Sequence, residues 1–197
     1  LYIKESRQLW SHLWFRQTNY AVSPLLDFLS VAHVNAETIF DWTNRASALP
    51  IATIGQAPVF AEASATLESL LSPTFDPTRT VYLPADAKAL VRATQTAEAK
   101  ILSAKFTAHR IQLKVDAAAD TVLVLAQSFY GPWRASMDNQ PAPLLRANHA
   151  FQAVPVASGI HDIVIEYRDK AFRMGFIATL CMLILATTLW FLRPRWL

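Results

Sequence analysis

From Gly175 the chain reads GFIATLCMLILATTLWFL without a single charged residue, and this run constrains the fold more than any other feature. As a helix its roughly 18 residues rise about 27 Å, close to the hydrocarbon thickness of a bilayer. Five Leu, two Ile and two Phe each contribute about −0.3 to −0.6 kcal/mol at a helix centre, so together they favour insertion by several kcal/mol. Thr179, Thr187 and Thr188 can return their hydroxyls to the helix backbone and need not oppose it. The alternative is a buried helix of a soluble core, but such helices seldom run this long without a charge and with Trp190 and Trp196 gathered at one end. Arg193 and Arg195 close the far side while Arg168, Lys170 and Arg173 flank the near side, so charge alone leaves the orientation open. The expectation is a transmembrane helix over residues 174–192 with a short tail over 193–197.

The rest of the chain is neither disordered nor an ordinary soluble domain, with 53% hydrophobic and 17% charged residues among 197. It begins at Leu1 rather than Met, which suggests a fragment or processed piece. Lys4, Glu5, Arg7 and Arg16 interrupt the apolar residues of the first twenty, so no secretory signal core lies there and any export signal is expected upstream. The 18 Lys and Arg are scattered and the net charge is only +3, which argues against a nucleic-acid partner, since that would need a basic stripe. Cys181 is the only cysteine, which excludes an internal disulfide and a cysteine metal cluster.

Periodicity divides the remainder. Leu9, Trp10, Leu13 and Trp14 have helical spacing and predict an amphipathic helix lying on the domain core or on lipid. Ser23-Pro24 is a helix-start signal, and Leu25, Leu26, Phe28 and Leu29 continue into a strand over Val31 to Asn35. Leu49 to Ile54, Pro58 to Phe60 and Thr80 to Leu83 read as short strands, and Ala63 to Leu71 as a helix ended by Ser72-Pro73. The Ala-rich stretch from Pro84 to Thr96 reads as a loop or short helix. These give a mixed α/β portion over residues 1–96.

Beyond it the period becomes two: Ile111, Leu113 and Val115 alternate with Gln112 and Lys114, and Ile163, Ile165 and Tyr167 alternate with Asp162, Glu166 and Arg168. Val122 to Ala126 is continuously apolar and predicts a central strand. Trp133 to Met137, Leu144 to Ala147 and Phe151 to Val156 are further runs, separated by the turn residues Gly131-Pro132, Asp138-Asn139 and Ser158-Gly159. Six or seven such strands predict an antiparallel, jelly-roll-like β-sandwich over residues 97–169, and an α+β class for the whole.

Chemistry is sparse. His12, His33, His109, His149 and His161 have no second ligand at helical spacing, so no metal site is expected. There is no nucleophile elbow, and 4 glycines give little material for a phosphate-cradling loop or dinucleotide fingerprint. No cofactor is therefore expected. Glu37 and Asp41 have helix-face spacing, which a solvated pair at a helix terminus explains better than acid–base catalysis does. The densest constellation is Phe129-Tyr130-Gly131-Pro132-Trp133-Arg134, followed by Asp138-Asn139 and Arg146-Ala147-Asn148. Tyr130, Trp133, Arg134, Asp138 and Asn148 can form a sugar platform, rings covering C–H faces and polar groups meeting hydroxyls. The competing reading places Tyr130 and Trp133 in the sandwich core, with the Asp and Asn holding turns.

The same residues carry a resemblance. Phe129-Tyr130, Gly131-Pro132-Trp133, Asp138-Asn139, Ala147-Asn148 with Phe151, Val154 and Val156, and Gly159-Ile160-His161 follow the order of motifs in the C-terminal extracytoplasmic domain of YfhO-type bacterial membrane proteins. Upstream, LLDFLSVAHV and Asn44-Arg45 with Leu49-Pro50 are similar to that family's Leu-rich helix and its Asn–Pro segment. The order Gly131-Pro132 reverses the family's Pro-Gly, Asn139 replaces a hairpin Gly, and His33 replaces a common Lys or Arg. The family resembles polytopic GT-C-like glycosyltransferases that take sugars from polyprenyl-phosphate carriers to decorate cell-envelope glycans. The resemblance implies an extracytoplasmic β domain, a cytoplasmic C-terminus in the bacterial plasma membrane, and a bilayer, envelope glycan and polyprenyl-phosphate sugar as partners. It also implies that the catalytic carboxylate lies in an early loop upstream of this chain, so no residue here inherits a catalytic role. A non-enzymatic, membrane-anchored carbohydrate-binding or structural sandwich is the alternative.

Overall fold

The structure, a computed structural model, describes residues 23–35 and 41–192. The helix expected around Leu9 to Trp14, and Glu37, Arg193, Arg195 and Trp196, lie outside the described residues.

The fold is built around β8 (Thr121–Ser128), whose first five residues are all buried. Its neighbours are β12 (Phe151–Val156) on one side and β3 (Ala52–Ile54) on the other, and β11 (Leu145–Ala147) completes a four-stranded antiparallel sheet in the order β11-β12-β8-β3. Side chains alternate across a strand, so Leu123 and Leu125 face one way and Val122 and Val124 the other. Leu123 and Leu125 join Val154, Val156, Ile111, Leu113, Ile163 and Ile165 in one core cluster. Val122 and Val124 join Leu25, Phe28, Leu70, Val81 and Leu83 in another. A strand with lipid-like surroundings on both faces must be apolar throughout, which is why its sequence shows no alternation.

The first of those clusters lies between this sheet and a second, five-stranded antiparallel sheet in the order β10-β9-β13-β7-β6. It contains β6 (Ala99–Phe106), β7 (Arg110–Ala117), β9 (Trp133–Met137), β10 (Gln140–Ala142) and β13 (Gly159–Tyr167). β7 shows the strict exposed–buried alternation that its sequence predicts. On the outer face Arg110 pairs with Glu166 at 3.1 Å and Lys114 with Asp162 at 4.0 Å. Both are surface pairs of the kind worth at most about 1 kcal/mol. The antiparallel sandwich is thus as expected, but it has more strands than the sequence suggested. β6 escaped notice because its register shifts between Ile101 and Ser103, so no alternation survives along AKILSAKF.

The second cluster lies under a third layer: α1 (Ser23–Phe28), α2 (Ala63–Leu70), and the parallel pair β4 (Ala57–Phe60) and β5 (Thr80–Leu83). α2 is the crossover that a parallel pair requires. Pro24 sits in the first turn of α1, where its missing N–H is no loss, and Phe28 meets Phe151 edge-on at 5.0 Å. Arg45 ties α1 to the chain after β2 (Trp42–Asn44), bonding the Ser23 carbonyl at 3.0 Å and the Asp27 carboxylate; β2 pairs with β1 (His33–Asn35). Pro84 to Thr96 contains a single 3-10 segment, Ala85–Leu90.

Packing crosses the expected division between residues 96 and 97. β3 is an edge strand of the four-stranded sheet, and Ala97 donates its N–H to the Gly55 carbonyl at 3.0 Å. Gly55 has a φ of 106°, and a Cβ there would stand 2.7 Å from the Ala97 oxygen, so only glycine lets these two backbone segments approach.

The last described element is α3 (Lys170–Leu192), whose described side chains are exposed along the whole length. It starts five residues before the apolar run because Asp169 caps it: the carboxylate accepts the Phe172 N–H at 2.9 Å. Thr179, Thr187 and Thr188 donate to the carbonyls of Gly175, Ile184 and Leu185 at 2.8–2.9 Å, which satisfies their hydroxyls within the helix as expected. The span from Lys170 to Phe191 has a mean hydropathy of 2.0 and no burial against the rest of the described residues, so it is long and apolar enough to cross a bilayer.

Leu125→Ala removes a fully buried side chain from the sandwich core and is expected to cost about 2–5 kcal/mol. Leu102→Ala, half exposed on β6, is expected to stay within about 0.5 kcal/mol. Urea unfolding of the detergent-solubilised chain, followed by circular dichroism, measures both.

Candidate functional site

The loop between β8 and β9 closes as a turn in which Trp133 donates its N–H to the Tyr130 carbonyl at 3.1 Å. Arg134 braces it, donating from Nη1 to the Trp133 carbonyl at 2.7 Å and to the Gly131 carbonyl. The turn sets three side chains apart. Trp133 points inward and is 8% exposed, whereas Tyr130 is 44% exposed and Arg134, next along β9, faces solvent. Between Trp133 and Tyr130 stands Tyr167, the last residue of β13: Tyr130 stacks on it at 6.3 Å, and Trp133 meets it edge-on at 5.4 Å. His109 approaches from the β6–β7 turn at 6.4 Å. Such offset and edge contacts suit the ring quadrupoles.

Burial first, and then the neighbouring Asp169 and Tyr130, raise the Tyr167 phenol above its ordinary pKa of 10.0. The phenol therefore stays protonated and donates to Asp169, at 3.5 Å. A cavity of about 210 Å³ opens beside this cluster, lined by Phe129, Tyr130, Trp133, Arg134, Ala142 and Leu144 among others. That is below the ~300 Å³ at which ligand pockets usually begin and suits a single ring more than a chain of them. A second cavity, beside His149 and Arg146, measures about 20 Å³, room for about one water.

The other two expected residues lie elsewhere. Asp138 and Asn139 form the two-residue turn between β9 and β10, with φ of 52° and 64°, the left-handed pair that a type I′ hairpin needs. The Asp138 carboxylate accepts the Asp162 N–H at 2.9 Å and meets His161 Nδ1 at 2.6 Å. Asn148 is 1% exposed and fastens the β11–β12 turn to β5, accepting the Tyr82 N–H on its side chain and donating its own N–H to the Tyr82 carbonyl, both at 2.8 Å. The five residues proposed as one platform therefore do not share a surface. Trp133 fills the core, Asp138 and Asn148 hold turns, and Tyr130 and Arg134 remain at the cavity rim. The reason is geometric: β9 separates Arg134 from Asp138, and pairing with the half-buried Tyr82 backbone draws Asn148 inward. Tyr167, the centre of the aromatic cluster, was hidden in the sequence as one more alternating strand residue. Among the described residues, no group of three or more His, Cys, Asp or Glu is placed to hold a metal ion.

Asn148→Ala leaves the Tyr82 N–H unpaired and puts alanine at a φ of 43°. The bond accounts for about 1–3 kcal/mol and the backbone for about 1–2 kcal/mol more. Asn148→Gly is expected to recover only the backbone share, in the same unfolding measurement.

The Asp138–His161 pair makes stability at this turn depend on pH. The hydrogen bond to Asp138 raises the His161 pKa above 6.5, so its contribution is complete below 6.5 and is lost as pH rises through the higher folded value. The bond to His161 lowers the Asp138 pKa below 3.8, so that contribution is complete above 3.8 and is lost as pH falls through the lower folded value. An NMR titration is expected to place the His161 midpoint above 6.5, with Asp138→Asn moving it back down.

Residues 82–179 match the model of the family described as "Bacterial membrane protein YfhO". Neither a curated protein nor a solved structure matches the chain. The matched span runs from β5 through every strand of the five-stranded sheet and into the first half of α3. Eight of the nine sandwich strands and the start of the helix thus fall within one family match, and this segment, residues 82–179, belongs to the YfhO bacterial membrane proteins.

Proposed function

We propose that the chain is the extracytoplasmic accessory domain and last membrane helix of a glycosyltransferase that uses polyprenyl-phosphate sugars and acts on cell-envelope glycans. The observation that carries the reading is the family match that runs from most of the sandwich into the first half of the apolar helix. It fits a domain held over the bilayer rather than one loosely tethered to it. In this reading Arg193 and Arg195 lie in the cytoplasm and the chemistry belongs to membrane-embedded residues elsewhere in the protein. The sandwich positions the acceptor. Tyr130 and Arg134, at the rim of the 210 Å³ cavity, offer one aromatic face and one cation to a single sugar ring.

The test is sugar transfer from a polyprenyl-phosphate donor to envelope glycan, in membranes carrying the complete protein. Tyr130→Ala with Arg134→Ala is expected to raise the acceptor KM about tenfold, the equivalent of ~1.4 kcal/mol of lost contact, while the chain stays folded. Absence of any transfer by the complete protein would overturn the enzymatic reading. Glycan binding by a protein without transfer would favour a carbohydrate-binding module.

A further inference from the structure

The two ends of the five-stranded sheet differ in charge. β13 runs from Gly159 at the end far from α3 to Tyr167 at the near end, and its register sets Arg110, Trp133 and Arg134 near and Asp116 far. Arg110, Arg134, Arg168, Lys170 and Arg173 cluster at the near end and in the run into α3, against Glu166 and Asp169. Glu98, Asp116, Asp120, Asp138 and Asp162 lie toward the far end, against Lys100 and Lys114. The near end also exposes rings, with Phe106 at 45%, Tyr130 at 44% and Phe172 at 72%.

The near end has little freedom to leave the membrane surface. Only Arg168 and Asp169 separate β13 from α3, a link that cannot exceed ~11 Å. Arg168 is tied to the Pro132 carbonyl at 2.9 Å, and Asp169 is the helix cap. From Lys170 to Gly175 the helix rises only ~7.5 Å, about the depth of one headgroup layer.

We propose that this end of the sandwich is a bilayer-docking platform. Phe106 lies against the headgroups, and Lys170 and Arg173 engage anionic phospholipid, while Tyr130 stands at the same end of the sheet and Arg168 is held by Glu166 at 2.8 Å. The acidic far end stands ~30 Å away, the length of nine strand residues, beyond the screened reach of the same surface. Basic residues beside a spanning helix attract anionic lipid, and amphipathic rings favour the interface. The platform depends on α3 crossing the bilayer and is independent of the transferase reading.

The test reconstitutes the chain into phosphatidylcholine vesicles, with and without phosphatidylglycerol, that carry nickel chelated to a headgroup. Spin labels are placed singly at Phe106→Cys, Tyr130→Cys and Asp120→Cys in a Cys181→Ser background, with circular dichroism to confirm folding. Headgroup nickel is expected to relax the labels at 106 and 130 severalfold more than the label at 120, and more strongly with phosphatidylglycerol at low salt than at high salt. Equal relaxation at all three positions overturns the platform. Proximity that ignores both salt and anionic lipid overturns the role given to the cations. If Tyr130→Cys unfolds, Phe106→Cys on the exposed edge strand carries the measurement alone. A label on the native Cys181 is expected to be relaxed by oxygen and not by water-soluble nickel; the reverse removes the anchor and overturns the proposal. Failure of the complete protein to transfer sugar alters none of these readouts.

Discussion

β8 is the strand on which the other layers depend. Both of its faces are buried, one against the five-stranded sheet and the other against α1, α2 and β5. This makes two cores mutually dependent. Val122 and Leu123 are adjacent in sequence and fully buried, yet they stabilise different interfaces. A one-residue slip in its pairing with β12 would exchange the two sets. The slip is opposed at the end of the ladder, where the register shifts between Phe151 and Gln152 and Gln152 Nε2 donates to the Ser128 carbonyl at 2.9 Å. A bulge pinned by a buried amide is a register lock.

The motifs that carry the family resemblance fasten parts of the fold that are distant in sequence. The Asp138 turn and His161, 23 positions apart in sequence, share a 2.6 Å contact. The Asn148 turn clamps β5 across 66 positions. The aromatic turn at Phe129 to Trp133 stacks on Tyr167 at the start of the link to α3. These residues fasten hairpins that local sequence cannot hold together. Polar groups placed this way fix geometry more than they add stability, because each replaces a bond to water. The substitution of Asn139 for the hairpin Gly is consistent with that role, since asparagine tolerates the same left-handed conformation.

Much of the architecture was legible because it rests on local rules. Ser23-Pro24 opens α1, Thr80–Leu83 is β5, and the alternation around Ile111 is β7. What remained hidden depends on distant contacts. β6 carries a bulge, and β10 has only three residues, too few for any period to show, whereas the run Leu144 to Ala147 did mark β11. β3 was recognised as a strand, but only its pairing with β8 assigns it to the sandwich. The candidate site fared less well, for the same reason. Tyr130 and Trp133 are three residues apart, and their different fates follow from a turn that puts one ring on each side of Tyr167. Asn148 looked available because its partner, the backbone of Tyr82, lies across the fold.

The junction between sheet and helix is stiff by composition as well as by bonding. Flexible tethers are rich in Gly and Ser, and from Ile160 to Met174 the chain has neither. β13 is hydrogen-bonded on both sides up to its last residues, and the cap on Asp169 starts the helix three residues after Tyr167. Because Trp133 and Tyr130 both rest on Tyr167, a tilt of α3 is carried into the aromatic turn and the cavity beside it, and is not absorbed by a linker. A bilayer thickness that changes the helix tilt therefore changes the attitude of the cavity to the membrane. The anchor and the cavity share one mechanical element, the end of β13, and the orientation of one fixes that of the other.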